Sequence, residues 1–157
     1  MEIKMWINGK EISGDVAPDT LLIDFVRSKG YLSVKRGCET SNCGLCTVLV
    51  EDKPVLSCST LVGRAHGKHV KTLEGIQKDA LEIGGFIADE GAEQCGFCSP
   101  GFIMNIYAMK NELVNPSEAE INNYLAGNLC RCTGYMGHTR AITKYLDANG
   151  EVNHEDR

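Results

Sequence analysis

The sequence predicts an α+β chain in two parts, a β-rich part over residues 1–75 and a helical part over residues 76–146, each built around four cysteines. Three observations carry this. Near the N-terminus Ile3, Met5 and Ile7 alternate with polar or partly polar neighbours and lead into Asn8-Gly9, a dipeptide that favours the type I′ hairpin turn. Beyond Leu73 the apolar residues recur at helical spacing, between helix start and stop signals. The eight cysteines fall into two sets, C-x4-C-x2-C with a return cysteine in the first part, and C-x2-C with C-x-C in the second.

The return strand of the hairpin covers residues 10–14. Pro18-Asp19-Thr20 opens a short helix that buries Leu21, Leu22, Phe25 and Val26 and stops at Gly30. A cysteine-bearing loop follows. Residues 47–50 and 55–58 read as strands joined by the turn Glu51-Asp52-Lys53-Pro54, and residues 68–73 as a last strand. Strands, one helix and a cysteine loop in this order suggest a ferredoxin-like β-grasp. In the second part a helix is expected over residues 76–89, weakened by Gly84-Gly85. Ser99 as N-cap and Pro100 at the first helical position open the next, which packs through Phe102, Ile103, Ile106, Met109 and Leu113. The capping box Ser117 to Glu120 opens a third helix, to about residue 126, where Gly127 ends it. A fourth is expected over residues 138–146, and the polar, acidic residues 147–157 as a flexible tail.

With 157 residues there is room for one domain or two small ones. At 43% hydrophobic and 24% charged residues the composition is that of ordinary soluble protein. Aromatics reach only 6%, so a large apolar core is not expected and bound metal should contribute to folding. The formal charge of −5 disfavours nucleic acid and anionic membrane as partners. Eight thiolates (about −8) with two oxidised [2Fe-2S] cores (about +4) would deepen it to roughly −9. No apolar run approaches membrane-spanning length, and the start Met-Glu-Ile-Lys-Met-Trp-Ile has no charged head before an apolar core, so neither a membrane span nor a signal peptide is expected. The expected compartment is the reducing cytoplasm, where cysteines serve as ligands more often than as disulfides.

Cys38, Cys43, Cys46 and Cys58 have the spacing of a plant-type ferredoxin [2Fe-2S] site. Gly37 and Gly44 let the loop turn tightly and bring its N–H groups to the sulfurs. A structural zinc site or two disulfides are the alternatives. Cys95 and Cys98, with Cys130 and Cys132, lie in turns before helices, and two helical hairpins face to face would bring both pairs to one end of a bundle. Four thiolates there fit a second [2Fe-2S] core, and helix N-termini suit its negative charge. Tetrahedral zinc remains open on spacing alone. A Rieske centre needs two histidine ligands, and His66, His69, His138 and His154 do not accompany the cysteines in such a pattern.

Four features in order, G-C-E-T-S-N-C-G-L-C-T-V, the return Cys58, Q-C-G-F-C-S-P-G from Gln94, and G-N-L-C-R-C-T-G-Y from Gly127, resemble the iron–sulfur subunit of the molybdenum hydroxylases, the xanthine dehydrogenase and aldehyde oxidoreductase family. The likeness covers about residues 1–146. It implies a plant-type ferredoxin β-grasp followed by a four-helix bundle, with one [2Fe-2S] cluster in each. It implies an electron relay from a molybdopterin site on a large subunit, through the helical-domain cluster and the ferredoxin-type cluster, to FAD on a medium subunit. A dimer of such heterotrimers is expected, and a free-standing two-cluster carrier is the alternative. Two further roles come with the resemblance: Gln94 matches a glutamine that hydrogen-bonds the pterin, and Cys132 matches the ligand lying against it. The chain itself has no G-x-G-x-x-G for a nucleotide.

There are departures from that pattern. Ser41 stands where the family has glycine, which adds a hydroxyl near a sulfur; Leu45 replaces alanine and should shield the cluster; the run Met136-Gly137-His138 is atypical. Lys35 and Arg36 read as a solvated loop rather than as tuners of the first cluster. Arg131, between two ligands, would neutralise charge, reach a cofactor phosphate or cap helix carbonyls. His66 and His69 read as surface residues, and Met5 and Trp6 as core.

Overall fold

A computed structural model of the chain describes residues 1–149. It opens with β1 (Glu2–Ile7) and β2 (Lys10–Asp15), paired antiparallel around a two-residue turn. Asn8 and Gly9 have φ of 52° and 79°, the left-handed pair that a type I′ turn requires. Helix α1 (Leu22–Ser28) buries Leu22, Ile23, Phe25 and Val26; Leu21 lies just outside it and bridges to Leu61. Gly30 closes α1 at φ 93°.

Strands β3 (Thr47–Val50) and β4 (Lys53–Leu56) form a second hairpin. The turn is two residues long, not four. Glu51 and Asp52 both take positive φ, and Pro54 lies inside β4 opposite Leu49. It is tolerated there because β4 is an edge strand in the order β2-β1-β5-β3-β4. The expected strand through Cys58 ends early, and Cys58 sits in a 3-10 turn, Ser57–Ser59. Strand β5 (His69–Lys71) is shorter than expected but central, parallel to β1 and antiparallel to β3. The mixed sheet grasps α1 around a core of Ile3, Met5, Ile7, Val26, Val48 and Val70.

Four helices follow: α2 (Gln77–Asp89), α3 (Ser99–Glu112), α4 (Glu118–Tyr124) and α5 (Met136–Asn149). Gly84-Gly85 does not interrupt α2. Ser99 is not the cap of α3: Cys98 holds that position, and the Ser99 hydroxyl donates to Glu93 at 2.9 Å. The capping box of α4 is present, with the Glu120 N–H donating to the Ser117 hydroxyl and the Ser117 N–H to the Glu120 carboxylate. Helix α5 continues through Asp147, Ala148 and Asn149, so the expected tail does not begin at 147; its remainder lies outside the described residues. Ile83, Ile87, Phe102, Ile106, Met109, Ile142 and Tyr145 form the second core, and Leu49 of β3 joins it from the sheet. Among the described residues no helix is long and apolar enough to cross a membrane.

Candidate metal centres

The first cysteine set is assembled by the loop between α1 and β3 together with the turn after β4. The β3–β4 register pairs Thr47 with Leu56, which brings the next residues outward, Cys46 and Ser57, side by side. The Ser57 N–H and hydroxyl both donate to the Cys46 carbonyl, at 3.3 and 2.6 Å. The Cys38 thiol receives backbone N–H groups of Thr40, Asn42 and Cys43, which together bring its pKa down to about 6. Burial pushes Cys43 up, although Leu45 and Gly37 donate N–H groups to it. Cys46 is driven up to about 11, first by burial and further by the adjoining Cys58 thiol. Each sulfur therefore touches a neighbour, Cys38 beside Cys43 and Cys46 beside Cys58, with Cys43 near Cys46. Ser41 takes φ 57° and places its hydroxyl 3.6 Å from the Cys58 sulfur. Buried Leu45 packs against Gly37, where an added Cβ would lie 2.7 Å from its side chain.

The second set draws on both ends of the bundle's connections. Cys95 and Cys98 precede α3, and Cys130 and Cys132 lie in the loop between α4 and α5. The Cys132 and Cys95 sulfurs are 3.5 Å apart, and Cys98 pairs with Cys130. Burial first, and then the Cys130 thiol, raise Cys98 to about 12. Burial would also raise Cys130, but hydrogen bonds from the Thr133 hydroxyl and from the Cys132 and Thr133 N–H groups bring it down. The Cys130 N–H donates to the Tyr135 hydroxyl at 2.9 Å. Cys95 and Cys132 form the exposed edge of the set, and Cys98 and Cys130 its half-buried side.

The two sets are joined. The Leu129 N–H donates to the Cys43 carbonyl at 2.9 Å, so one hydrogen bond links a first-set cysteine to the neighbour of Cys130. Gly101 of α3 packs directly on Gly44, and Gly44 on Gly127 and Asn128; a Cβ on either glycine would meet backbone at 2.4–2.5 Å. Lys35 of the first loop lies over the Phe97 ring, 5.4 Å from its centroid. Arg36 is committed to Asp24 and Glu39.

All eight predicted cysteines are free thiols, gathered four and four. Gln94 is exposed and its side chain has no partner among the described residues, so it does not cap a helix end. Arg131 is likewise exposed and caps no carbonyl among them. His66 accepts the Lys4 N–H, and His69 stacks on Trp6 with ring centroids 5.1 Å apart. Met5 is buried core, while Trp6 is only partly covered. Ser57 carries no sequence signal, Asn128, Thr133 and Tyr135 stand only within the motif from Gly127, and His138 only within the atypical run 136–138; their contacts are ones that no cysteine spacing announces.

Two family models match the chain, a 2Fe-2S iron-sulfur cluster binding domain over residues 6–73 and a [2Fe-2S] binding domain over residues 72–143. The xanthine dehydrogenase iron-sulfur-binding subunit of Escherichia coli O157:H7 is 45% identical over 141 residues, 85% of this chain and 87% of the relative. Xanthine dehydrogenase 2 of Arabidopsis thaliana is 38% identical over 150 residues, 86% of this chain but 11% of that much longer protein. The crystal structure of quinoline 2-oxidoreductase from Pseudomonas putida 86 contains a chain with TM-score 0.86 and 37% identity, covering 97% of this chain and 98% of that one. Fold, motifs and relatives agree: this chain belongs to the iron–sulfur subunits of the molybdenum hydroxylase family, the xanthine dehydrogenase and aldehyde oxidoreductase group, and is an electron-transfer component of such an oxidoreductase.

Proposed function

We propose that Cys38, Cys43, Cys46 and Cys58 hold one [2Fe-2S] core, that Cys95, Cys98, Cys130 and Cys132 hold a second, and that residues 1–75 and 76–146 are the two units carrying them. The observation that supports this most strongly is the gathering of eight free thiols into two sets of four. The donor set fits: it is all sulfur, the ligand type that iron–sulfur clusters select. Backbone N–H groups directed at Cys38 and Cys130 favour the thiolate that ligation requires.

Each bound core would take up and pass on one electron at a time, two in series serving to carry electrons from a molybdopterin on one partner to FAD on another. The residues of this chain supply the path and its insulation. The exposed sulfurs of Cys95 and Cys132, with free Gln94 beside them, form the edge offered to the pterin. The Cys43 carbonyl and the Leu129 N–H bridge the two sets through a single hydrogen bond. Leu45, buried against Gly37, keeps water from the first set.

The partners are a molybdopterin-binding large subunit and a FAD-binding medium subunit, assembled as a dimer of heterotrimers in the cytoplasm. The Escherichia coli relative is itself named a subunit, and the Arabidopsis protein carries the matching segment within a far longer chain. The test is Cys130→Ser in the complex isolated without oxygen. One of two electron paramagnetic resonance signals should vanish and turnover should stop. Two undiminished signals with full turnover would contradict the assignment.

A further inference from the structure

Beside the second cysteine set lies a chain of three side chains. The Thr133 hydroxyl is 3.2 Å from the Cys130 sulfur, 3.1 Å from His138 Nδ1 and 3.4 Å from the Tyr135 N–H. A threonine hydroxyl has one proton and two lone pairs. A cysteine bound as thiolate has no proton to give, so at that sulfur the hydroxyl is the donor. The Tyr135 N–H fills one lone pair. The second then accepts from His138, which requires the proton on Nδ1. That tautomer leaves Nε2 as a bare acceptor, and Nε2 has no partner within the described structure. His138 is 2% exposed, and burial lowers its pKa against a smaller upward pull from Glu93. Its plane is fixed by stacking on Phe102 of α3, with centroids 4.5 Å apart and planes 24° from parallel. Every hydrogen-bonding valence of the hydroxyl is therefore assigned, and its proton is left with one destination.

We propose that His138 is a positioning residue for the second centre: by donating Nδ1–H to Thr133 it commits the threonine proton to the Cys130 sulfur and so stabilises the more negative, reduced form of the group held there. The inference rests on the proposed ligation by Cys130. A hydrogen bond to a ligating sulfur raises the reduction potential, because reduction adds charge to the sulfurs. A side chain that merely fills the core would leave that potential alone.

The experiment is a potentiometric titration of the intact complex, followed by electron paramagnetic resonance, on wild type and on His138→Leu, His138→Asn, His138→Gln, Thr133→Val and Thr133→Ser. Asparagine carries its amide nitrogen close to the position of Nδ1; glutamine reaches toward that of Nε2. Loss of the committed proton should lower the reduction equilibrium constant of one centre roughly tenfold, about 59 mV for one electron, and leave the other centre unmoved. Thr133→Val removes the donor and should show the whole loss; His138→Leu and His138→Gln keep the hydroxyl but release its orientation, and should show part of it; His138→Asn and Thr133→Ser should stay near wild type. The double variant Thr133→Val/His138→Leu should be no lower than Thr133→Val alone, since both substitutions break one chain. An exchangeable proton coupled to the cluster, seen by electron–nuclear double resonance in water and lost in deuterium oxide, should disappear in Thr133→Val. Equal potentials in wild type and His138→Leu, or shifts that add in the double variant, overturn the relay. If His138→Leu loses iron, equal potentials in the asparagine and glutamine variants overturn it instead. A wild-type complex with only one iron–sulfur signal removes the proposed ligation itself, an outcome distinct from any of these.

Discussion

Ser41 shows how much a single position is asked to do in the first loop. Its φ of 57° is the left-handed conformation in which a side chain costs about 1 kcal/mol or more, which accounts for the glycine of the family pattern. What the serine adds is a hydroxyl 3.6 Å from the Cys58 sulfur, the placement expected from the sequence. Cys38 is the other residue whose chemistry the loop sets. Three backbone N–H groups bring its pKa to about 6 from an ordinary 9.0, whereas burial and the Cys58 thiol hold Cys46 near 11. In the metal-free chain, iodoacetamide should therefore label Cys38 at a rate that rises through pH 6, while Cys46 stays silent until well above pH 9. Mass-spectrometric mapping across pH 5–10 checks this; simultaneous labelling of the two contradicts it. A depressed thiol pKa also fixes the sign of the stability effect. The contribution of Cys38 to the metal-free fold is complete above the unfolded value, 9.0, and is lost as pH falls through about 6. The grouping of the eight cysteines into two sets of four was legible from their spacing. Thr133 and His138 were not, because a hydroxyl and a ring meeting across a turn leave no periodic trace.

At the scale of elements, features with local causes were legible and those with tertiary causes were not. Asn8-Gly9 makes its turn from its own backbone preferences, and Ser117 with Glu120 closes its box within one turn of helix. Ser99 misled because Glu93, from the preceding loop, captures its hydroxyl. Pro54 misled because its tolerance depends on β4 lying at the sheet edge, which only the strand order reveals. Glycines divide the same way. Gly84 and Gly85 have open space around them, so Gly85→Ala should stabilise α2 by about 0.5–1 kcal/mol, alanine losing less backbone entropy in a helix. Gly101 is also helical, yet a Cβ there would sit 2.4 Å from the Gly44 carbonyl and 3.0 Å from Leu45 Cα. Backbone must move to admit it, so Gly101→Ala should cost about 1–3 kcal/mol and pry α3 from the first cysteine loop. Thermal unfolding midpoints of the two variants should shift in opposite directions. A Gly101→Ala protein as stable as wild type would show that α3 and the loop are not in close contact.

The whole molecule explains why so few aromatics suffice. Instead of one large core there are two, one under the sheet and one within the bundle, built mainly from aliphatic and methionine side chains. Leu49 of β3 packs into the bundle's core, Ser33 donates twice to Glu74 at the junction, and Leu129 reaches back to Cys43. These contacts hold the two cysteine sets at a fixed separation, the condition that the proposed relay places on them. That joint was not legible in the sequence: Gly44, Gly101 and Asn128 read as loop or helix residues until the two halves are placed together. The most direct test of the account is the content of iron, sulfide, molybdenum and flavin in the native complex, isolated without oxygen through a tag on this chain. About four irons and four sulfides per copy, arriving with molybdenum and flavin, are predicted. Iron without molybdenum or flavin would point to a free-standing carrier, and zinc without sulfide would contradict the central claim.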